Sequence, residues 1–418
     1  MQELITVTEA ADIIRRHLPD SPTETISLTE AQGRYLKLPI VADRPLPPFD
    51  RVMMDGIAIR HSVWSLGKRD FPIAATQAAG APPVPLSDVN SCIEVMTGGV
   101  LPDGCDCVIP VEEIKVSEKT AHIRADYTPA KNQHIHRAGS DTPQGKELLP
   151  SGTCLHAPEL TIAASCGATT LSVAALPRIA VISTGDELVD PDQTPQPYQI
   201  RRSHATALRA AITANHLGTV TEKHIADDPA LLKEALQQAL TENDILVLTG
   251  GVSRGKYDYV APVLKDLLGE PQFHGIAQRP GKPFAFWSYN GEKCKRAIRA
   301  DDSSDAGGEK CKRAIFALPG NPVSVMACAA RYLFPSLKQI LSGQKPIPHT
   351  LPATGEFNCH PSFTGLIACR QENGTLHLLP PSNSGNFLSL AGTHGIAELP
   401  GKLTRTHLKN HPATFYPW

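Results

Sequence analysis

The chain has 418 residues, enough for about two to four domains at roughly 100–200 residues each. Its formal net charge is −2 and its aromatic content is 5%, which argues against a basic surface for nucleic acid or anionic lipid and against base stacking. Polar residues interrupt the apolar stretches near 157–182 before they reach the ~20 residues of a membrane span. We therefore predict a globular protein that binds neither nucleic acid nor membrane.

The ten cysteines include no Cys-x-x-Cys pair, and Cys105 and Cys107 are too close together for a zinc knuckle or a redox dithiol. The opening segment lacks the basic region and apolar core of a secretory signal. These features predict a reduced, cytoplasmic protein whose thiols are mostly buried and inert.

Two helices are predicted in the first 175 residues. Residues 6–18 have a helical apolar pattern, and the spacing of Thr6 and Glu9 indicates a capping box. The Pro-rich stretch 37–50 reads as an extended connector, and the short apolar runs after it predict a small β-rich domain. A second helix is expected over 157–168.

Strand and helix patterns alternate four times from Arg178 onward, which predicts a parallel α/β layer. The predicted strands are 178–183, 219–226, 244–249 and 314–320, and the predicted helices are 202–218, 227–242, 258–269 and 321–334. We expect Gly218 to end the first of these helices and Asp228 to cap the second. Short strands and turns after Pro346 indicate a small β-domain at the end of the sequence.

The octapeptide GEKCKRAI begins at residue 291 and again at residue 308, 17 residues later. Two copies do not make a solenoid, and the polar segment between them is easily solvated. We interpret 291–315 as a tandem duplication that lengthens a hairpin loop and carries no function.

Four predicted strands end in unusual loops, with the sequences STGDEL, ADDP, TGGVSRG and LPGNP. The carboxyl ends of parallel strands meet at one edge of a sheet, where ligands bind. Glycine lets backbone N–H groups approach an oxyanion, and a helix N-terminus adds partial positive charge. Each loop alone could be an ordinary turn, but together they predict an anion site that includes Gly250, Gly251 and Ser253.

Acidic residues cluster in the same loops: Asp186, Glu187, Asp227, Asp228 and Asp258. Carboxylates beside an anion site are unfavourable unless a cation lies between them. We assign Asp186 to a turn and Asp228 to a helix cap. The other three, Glu187, Asp227 and Asp258, are predicted to bind Mg²⁺.

Two cations, Arg279 and Lys282, stand on the Pro-Gly turn of RPGKPFAFW and suit an oxyanion, although a solvated basic turn explains the spacing equally well. His134 and His136 are interpreted as surface residues, and His204 as a cap or surface residue. No Ser-His-Asp or Cys-His arrangement is readable.

Seven motifs, in family order, resemble the molybdopterin molybdenumtransferase family (MoeA type, related to the gephyrin E domain). They are PPFDRVMMDGIAIR, EVMTGGVLPDGCDCVIPVEE, HRAGSD, VISTGDELV, GGVSRGKYDYV, PGKPFAF and LPGNPVSV. Each motif alone is weakly specific, whereas all seven in order are highly specific and extend over nearly the whole chain.

The resemblance implies an α/β multidomain protein whose central parallel-sheet domain resembles the molybdopterin-adenylyltransferase fold, with β-rich domains and an elongated N-terminal part. It implies a homodimer with the active site at the subunit interface. The expected domains are 1–45 with 143–175, the inserted 46–142, the molybdopterin-binding 176–343, and the C-terminal 344–418.

The activity implied by the resemblance is insertion of molybdate into adenylylated molybdopterin, with release of AMP and dependence on Mg²⁺. The motifs then assign catalytic roles to Asp55, Asp141, Glu187 and Asp258. They assign substrate binding to Thr97, Lys282 and Ser384, and the glycine loop and basic turn add Gly250, Gly251, Ser253 and Arg279 to the predicted substrate-binding residues.

The sequence departs from the family pattern at three places. Arg51-Val52-Met53 replaces the usual Asn-Ser-Ala, which removes a hydroxyl and an amide. His204 replaces an asparagine, and Arg279 replaces a lysine, which keeps the charge but offers a planar fork instead of a point donor.

Two alternatives remain: a molybdopterin adenylyltransferase, and a non-catalytic scaffold of the cofactor pathway. An adenylyltransferase would not explain the MMDG region or the C-terminal domain. A scaffold would not explain the acidic residues. Molybdopterin adenylyltransferase and molybdoenzyme maturation proteins are candidate partners.

Overall fold

The structure, a computed structural model, describes residues 4–252, 258–291, 311–379, 383–403 and 406–418. The chain divides into two compact units. The first consists of Met1–Lys37, Ser151–His156 and Leu171–Trp418, and the second of Leu38–Pro150 and Ala157–Thr170. The finer division into four domains stays a prediction.

A six-stranded sheet forms the centre of the first unit. Its strands are β1 (Arg178–Thr184), β2 (Thr219–Ile225), β3 (Ile245–Thr249), β4 (Phe273–His274), β5 (Ala285–Gly291) and β6 (Cys311–Leu318). Their order is β2-β1-β3-β6-β5-β4. The first four strands in this order are parallel, which confirms the predicted α/β layer, and β5 and β4 extend it by antiparallel pairing.

Helices cover both faces of this sheet: α1 (His204–Ala214), α2 (Pro229–Glu242), α3 (Val260–Leu268) and α4 (Pro322–Cys328). Alternate residues of the strands belong to two separate hydrophobic cores, one on each face of the sheet. Ile179 and Val247 pack with α1 and α4, whereas Ile182 and Leu248 pack with α2 and α3. Both faces of β1 and β3 are buried, which explains why these two strands are continuous apolar runs. The edge strand β2 is more polar, and only Ile225 in it is buried.

The end of α1 differs from the prediction. The helix stops at Ala214, and His216 takes the left-handed conformation after it, with φ 52°. The Leu217 N–H donates to the Ile212 carbonyl at 2.9 Å, the pattern of a Schellman motif. Gly218 has another role, because a Cβ there would lie 2.6 Å from Ile179 Cδ1 at the start of β1.

The capping predictions are confirmed. Glu9 N–H donates to Thr6 Oγ1 at 3.2 Å, and Thr6 N–H donates to the Glu9 carboxylate at 2.8 Å, which completes the capping box. Asp228 accepts the N–H groups of Ala230 and Leu231 at 2.8 and 2.9 Å at the start of α2.

Strands follow Pro346, as predicted, but three of them have 9, 9 and 12 residues and are longer than expected. The strand Thr364–Glu372 pairs with both Thr375–Leu378 and Gly395–Pro400, so five strands close into a ring. The remaining elements of the first unit are the helices Val7–Arg16, Ala329–Leu333 (π) and Phe334–Ser342, the 3-10 turns Leu28–Glu30, Phe387–Leu390 and Gly401–Leu403, and the strands Thr23–Ser27, Thr170–Ala174, Leu188–Val189, Ile200–Arg201, Gln278–Arg279, His349–Phe357 and Thr406–Pro417.

The second unit is rich in β-structure, as expected from its short apolar runs. Its six-stranded sheet has the order Cys107–Pro110, Gly56–Ile59, Cys92–Val95, Asp70–Gln77, Thr120–Ile123 and Ile114–Ser117. Its other elements are the strands Ile40–Val41, Arg51–Val52, Ile135–His136 and Glu147–Leu149, the helices His61–Ser65 and Ala157–Ser165, and the 3-10 turn Val111–Glu113.

Eight cysteines in the described parts of the chain are free, and six of them are buried. Burial raises the pKa of the Cys107 thiol to about 12, so this thiol is not a nucleophile near neutral pH. No helix within the described ranges is long and apolar enough to cross a membrane.

The duplicated segment joins the antiparallel strands β5 and β6, whose ends Gly291 and Cys311 are register partners. Most of it, residues 292–310, lies outside the described residues. Deletion of 291–307 leaves a single GEKCKRAI copy between Asn290 and Phe316. Shortening a connection between paired strands this much relieves about 1–2 kcal/mol of loop-closure entropy. We expect an unchanged or slightly raised melting temperature and full activity, and a large fall in either would contradict a passive loop.

Candidate active site

The four loops that follow β1, β2, β3 and β6 lie along one edge of the sheet because these strands are parallel neighbours. They line a cavity of about 940 Å³, within the size range of sites for nucleotide-sized ligands. Eight predicted site residues line this cavity: Glu187, Asp227, Gly250, Gly251, Asp258, Arg279, Lys282 and Ser384. The ninth residue predicted for the region, Ser253, lies outside the described residues.

In the glycine turn after β3, the backbone passes close to the backbone at the end of β1. Gly250 has φ 93°, and a Cβ there would lie 2.9 Å from the Thr184 carbonyl oxygen. Only glycine takes this conformation without strain. The turn therefore brings the end of β3 against the end of β1 at the floor of the cavity.

The acidic side chains of the cavity repel one another. Burial is the main cause that raises the pKa of Asp227. A backbone hydrogen bond with Asp186 opposes this effect, and the negative charges of Asp186, Glu187 and Asp258 add smaller increases. Asp186 also accepts the Asp227 N–H at 3.1 Å, which agrees with the turn role expected for it. These carboxylates are therefore close enough to interact through their charges.

Oxygen donors of this kind suit Mg²⁺, and a cation would relieve the repulsion that raises the pKa of Asp227. In the part of the chain that the structure describes, no group of three His, Cys, Asp or Glu side chains already has the geometry of a metal site. Glu187, Asp227 and Asp258 thus fit Mg²⁺ by their chemistry, and their role as ligands stays a prediction.

The basic turn is supported from below by a buried polar network. The Gln278 side-chain amide donates to the Gly281 carbonyl at 3.3 Å and to Cys328 Sγ at 3.4 Å, and it accepts the Tyr332 hydroxyl at 2.5 Å. Gln278 and Cys328 are fully buried. Lys282 is exposed above this network, with its ammonium group 5.8 Å from the Phe363 ring centroid.

Ser384 is joined to the loop after β6. Its hydroxyl accepts the Asn321 side-chain amide at 2.9 Å, and its carbonyl accepts the Val323 N–H at 3.2 Å. These contacts connect the C-terminal segment to the start of α4, and they explain why Ser384 lines the cavity.

Asp55 and Thr97 contact each other in the second unit. Thr97 donates its backbone N–H at 2.6 Å and its hydroxyl at 2.8 Å to the same Asp55 oxygen, Oδ1. These bonds lower the pKa of Asp55, the backbone bond more than the hydroxyl bond, so the exposed carboxylate is charged.

Asp141 lies in the same unit, on the loop after the strand Ile135–His136. Its Oδ1 lies 2.8 Å from His136 Nε2, and its backbone N–H donates to the Leu46 carbonyl at 2.9 Å. His136, interpreted from the sequence as a surface residue, thus contacts a predicted catalytic carboxylate.

Several polar residues that line the cavity were missed by the sequence analysis, among them Gln278, Asn321 and Thr184. Asn321 lies inside the motif LPGNPVSV and Gln278 directly precedes RPGKPFAFW, but their partners are 63 and 54 residues away, so spacing gave no signal. The Thr184 hydroxyl is buried and has no hydrogen-bond partner among the described residues. Buried polar groups are normally hydrogen-bonded, so this hydroxyl is available to a water or a ligand in the cavity.

A cavity at the carboxyl edge of a parallel sheet, with glycine turns, acidic side chains and a basic turn, defines an α/β protein built to bind an anionic ligand. Comparison with known families agrees. Residues 5–167 match the MoeA N-terminal region (domain I and II), and residues 180–339 match a probable molybdopterin binding domain.

A molybdopterin molybdenumtransferase of Synechocystis sp. is 35% identical over 403 residues, which cover 95% of this chain and 96% of that protein. A protein of the same name from Nostoc sp. is 28% identical over 416 residues, covering 94% and 90% of the two chains. The chain belongs to the molybdopterin molybdenumtransferase family. The fold agrees with the crystal structure of a molybdopterin biosynthesis MoeA protein from Pyrococcus horikoshii OT3, with TM-score 0.79, full coverage of both chains and 24% identity.

Proposed function

We propose that this chain inserts molybdate into adenylylated molybdopterin, releases AMP, and requires Mg²⁺. The observation that carries the proposal is that the Gly250–Gly251 turn, the acidic side chains and the basic turn all line the same cavity. The named relatives match nearly the full chain, which supports a transferase over an adenylyltransferase confined to the α/β domain.

The protein's part in this reaction is positioning and electrostatics, because the two sulfurs of the substrate supply the bonds to molybdenum. The Gly250–Gly251 turn would receive a phosphate of the nucleotide. Lys282 would bind an oxyanion, and the buried Gln278 network would hold the turn that carries Lys282. Glu187, Asp227 and Asp258 would hold Mg²⁺, which supplies charge neutralisation between the phosphate and these carboxylates.

A homodimer completes the proposal, with Asp55 and Thr97 of one subunit contributing to the site of the other. The Asp55 carboxylate is suited to this role because it is exposed and charged. We also place the protein in the cytoplasm, where its free thiols stay reduced. Molybdopterin adenylyltransferase and molybdoenzyme maturation proteins are its proposed partners.

The deciding experiment mixes the purified protein with adenylylated molybdopterin, molybdate and Mg²⁺ and follows AMP release. AMP should appear only when all three are present. Release of pyrophosphate from ATP and molybdopterin, with no molybdate-dependent AMP, would instead identify an adenylyltransferase. Tight binding of the substrate without turnover would identify a scaffold.

Lys282→Ala should weaken the binding of AMP or molybdate by about 1.5–3 kcal/mol, the range for a hydrogen bond to a charged group. Arg279→Ala should weaken it less if Arg279 lies only at the rim of the site. Isothermal titration calorimetry of both variants measures the difference. Wild-type affinity of the Lys282 variant for both ligands would reject the assignment.

A further inference from the structure

Arg51 occupies the place where the family pattern has Asn-Ser-Ala, and the structure gives this departure a partner. Arg51 and His136 are register partners in the antiparallel pair of Arg51–Val52 with Ile135–His136. Arg51 Nη2 lies 3.0 Å from His136 Nδ1, and His136 Nε2 lies 2.8 Å from Asp141 Oδ1. The three side chains therefore form a continuous hydrogen-bonded series.

The guanidinium group fixes the tautomer of the ring between them. A guanidinium has donors and no acceptor, so His136 Nδ1 must accept the hydrogen bond from Arg51. The ring proton then sits on Nε2, which donates to Asp141. Without Arg51, either ring nitrogen could carry the proton, and only one of the two tautomers could donate to the carboxylate.

The backbone of the loop that carries Asp141 is held independently of these side chains. Ala138 N–H donates to Asp50 Oδ1 at 2.9 Å, and Gly139 N–H donates to the Pro47 carbonyl at 2.9 Å. Asp141 N–H is bonded as well. His136 instead fixes the orientation of the carboxylate group through its bond to Oδ1. The other carboxylate oxygen, Oδ2, contacts no donor among the described residues.

We propose that Arg51 and His136 are positioning residues that orient the Asp141 carboxylate and leave its Oδ2 atom directed at the substrate. This inference rests on the proposed function, in which Asp141 is catalytic. It assigns a role to Arg51, a residue that is absent from the usual family motif.

The test compares His136→Ala with His136→Gln, whose side-chain amide can place a donor near the position of Nε2. The matched control is His122→Ala. His122 pairs with Asp70 at 2.8 Å, and its side chain is 40% exposed, against 27% for His136. Both alanine variants should melt within about 2 °C of wild type, because exposed pairs contribute little to stability.

Molybdate-dependent kcat should fall about three- to tenfold in His136→Ala, recover in His136→Gln and stay unchanged in His122→Ala. In an Asp141→Asn background, His136→Ala should cause no further loss, because a residue that acts through Asp141 has nothing left to orient. An equal fold-loss in both backgrounds, or an equal loss in the His122 variant, would overturn the proposal.

A second readout does not depend on activity. With ¹⁵N-labelled histidine in the full chain, the His136 signals should show the proton on Nε2, and Arg51→Leu should weaken this preference. A proton on Nδ1 in the wild type would overturn the inference. Full activity of Asp141→Asn would defeat the assigned role of Asp141 and this inference together, whereas a loss in Asp141→Asn without any loss in His136→Ala would defeat the inference alone.

Discussion

Asp258→Asn is expected to lower molybdate-dependent AMP release at least tenfold, or about 1.4 kcal/mol in the barrier, and to raise the Mg²⁺ concentration needed for activity. Asp258 lines the cavity, and its charge contributes to the raised pKa of Asp227. Asparagine keeps the shape of the side chain and removes the charge that would hold the cation. Initial rates across a Mg²⁺ titration measure both effects.

The matched control is Asp228→Asn, in the same group of loops. The Asp228 carboxylate caps α2, and asparagine caps a helix about as well as aspartate. This variant should keep the wild-type rate and Mg²⁺ response. A normal Mg²⁺ response in Asp258→Asn would end the case for this residue as a metal ligand.

Mixed dimers extend the same prediction to Asp55. Asp55→Asn should lose activity to a similar degree if Asp55 serves the site of the other subunit. A dimer of one Asp55→Asn chain and one Asp258→Asn chain then contains one site with both carboxylates and one site with neither. Co-expressed and purified mixed dimers should recover about half of the wild-type activity, and no recovery would argue against a shared site.

Gly281→Ala is expected to destabilise the protein by about 2–5 kcal/mol, from backbone strain and overpacking combined. Gly281 has φ 92°, and a Cβ there would lie 2.5 Å from Cys328 Sγ and 2.6 Å from Gln278 Nε2. Both neighbours are fully buried, so neither has room to move. Because the turn also carries Lys282, AMP binding should weaken together with the melting temperature.

Two further variants separate strain from overpacking. Gly343→Ala introduces backbone strain without overpacking, because Gly343 has φ 71° and nothing lies within 4 Å of the added Cβ. It should cost about 1 kcal/mol and leave AMP binding unchanged. Adding Cys328→Ala to Gly281→Ala removes one clashing atom and should restore part of the lost stability. Equal losses in the two single alanine variants would show that the packing under the turn is loose.

Local sequence signals determined where helices begin and where the strand-end loops lie. Thr6 with Glu9, and Asp228 with its following proline, place helix starts through hydrogen bonds that span three residues or fewer, and the structure has both. The four strand-end loops could be placed on one edge because parallel strands that alternate with helices all point the same way. The seven motifs identified the family for a similar reason, since each is a continuous stretch of sequence.

Tertiary structure alone decided how distant residues meet. Ser384 joins Asn321, Tyr332 joins Gln278, and no periodicity relates residues 63 or 54 positions apart. The register that sets His136 opposite Arg51 also arises from strand pairing across 85 residues of chain, and a shift of one residue would turn one side chain to the other face. Sequence patterns report local geometry, whereas these contacts depend on how strands and loops pack together, which is why only the folded chain shows them.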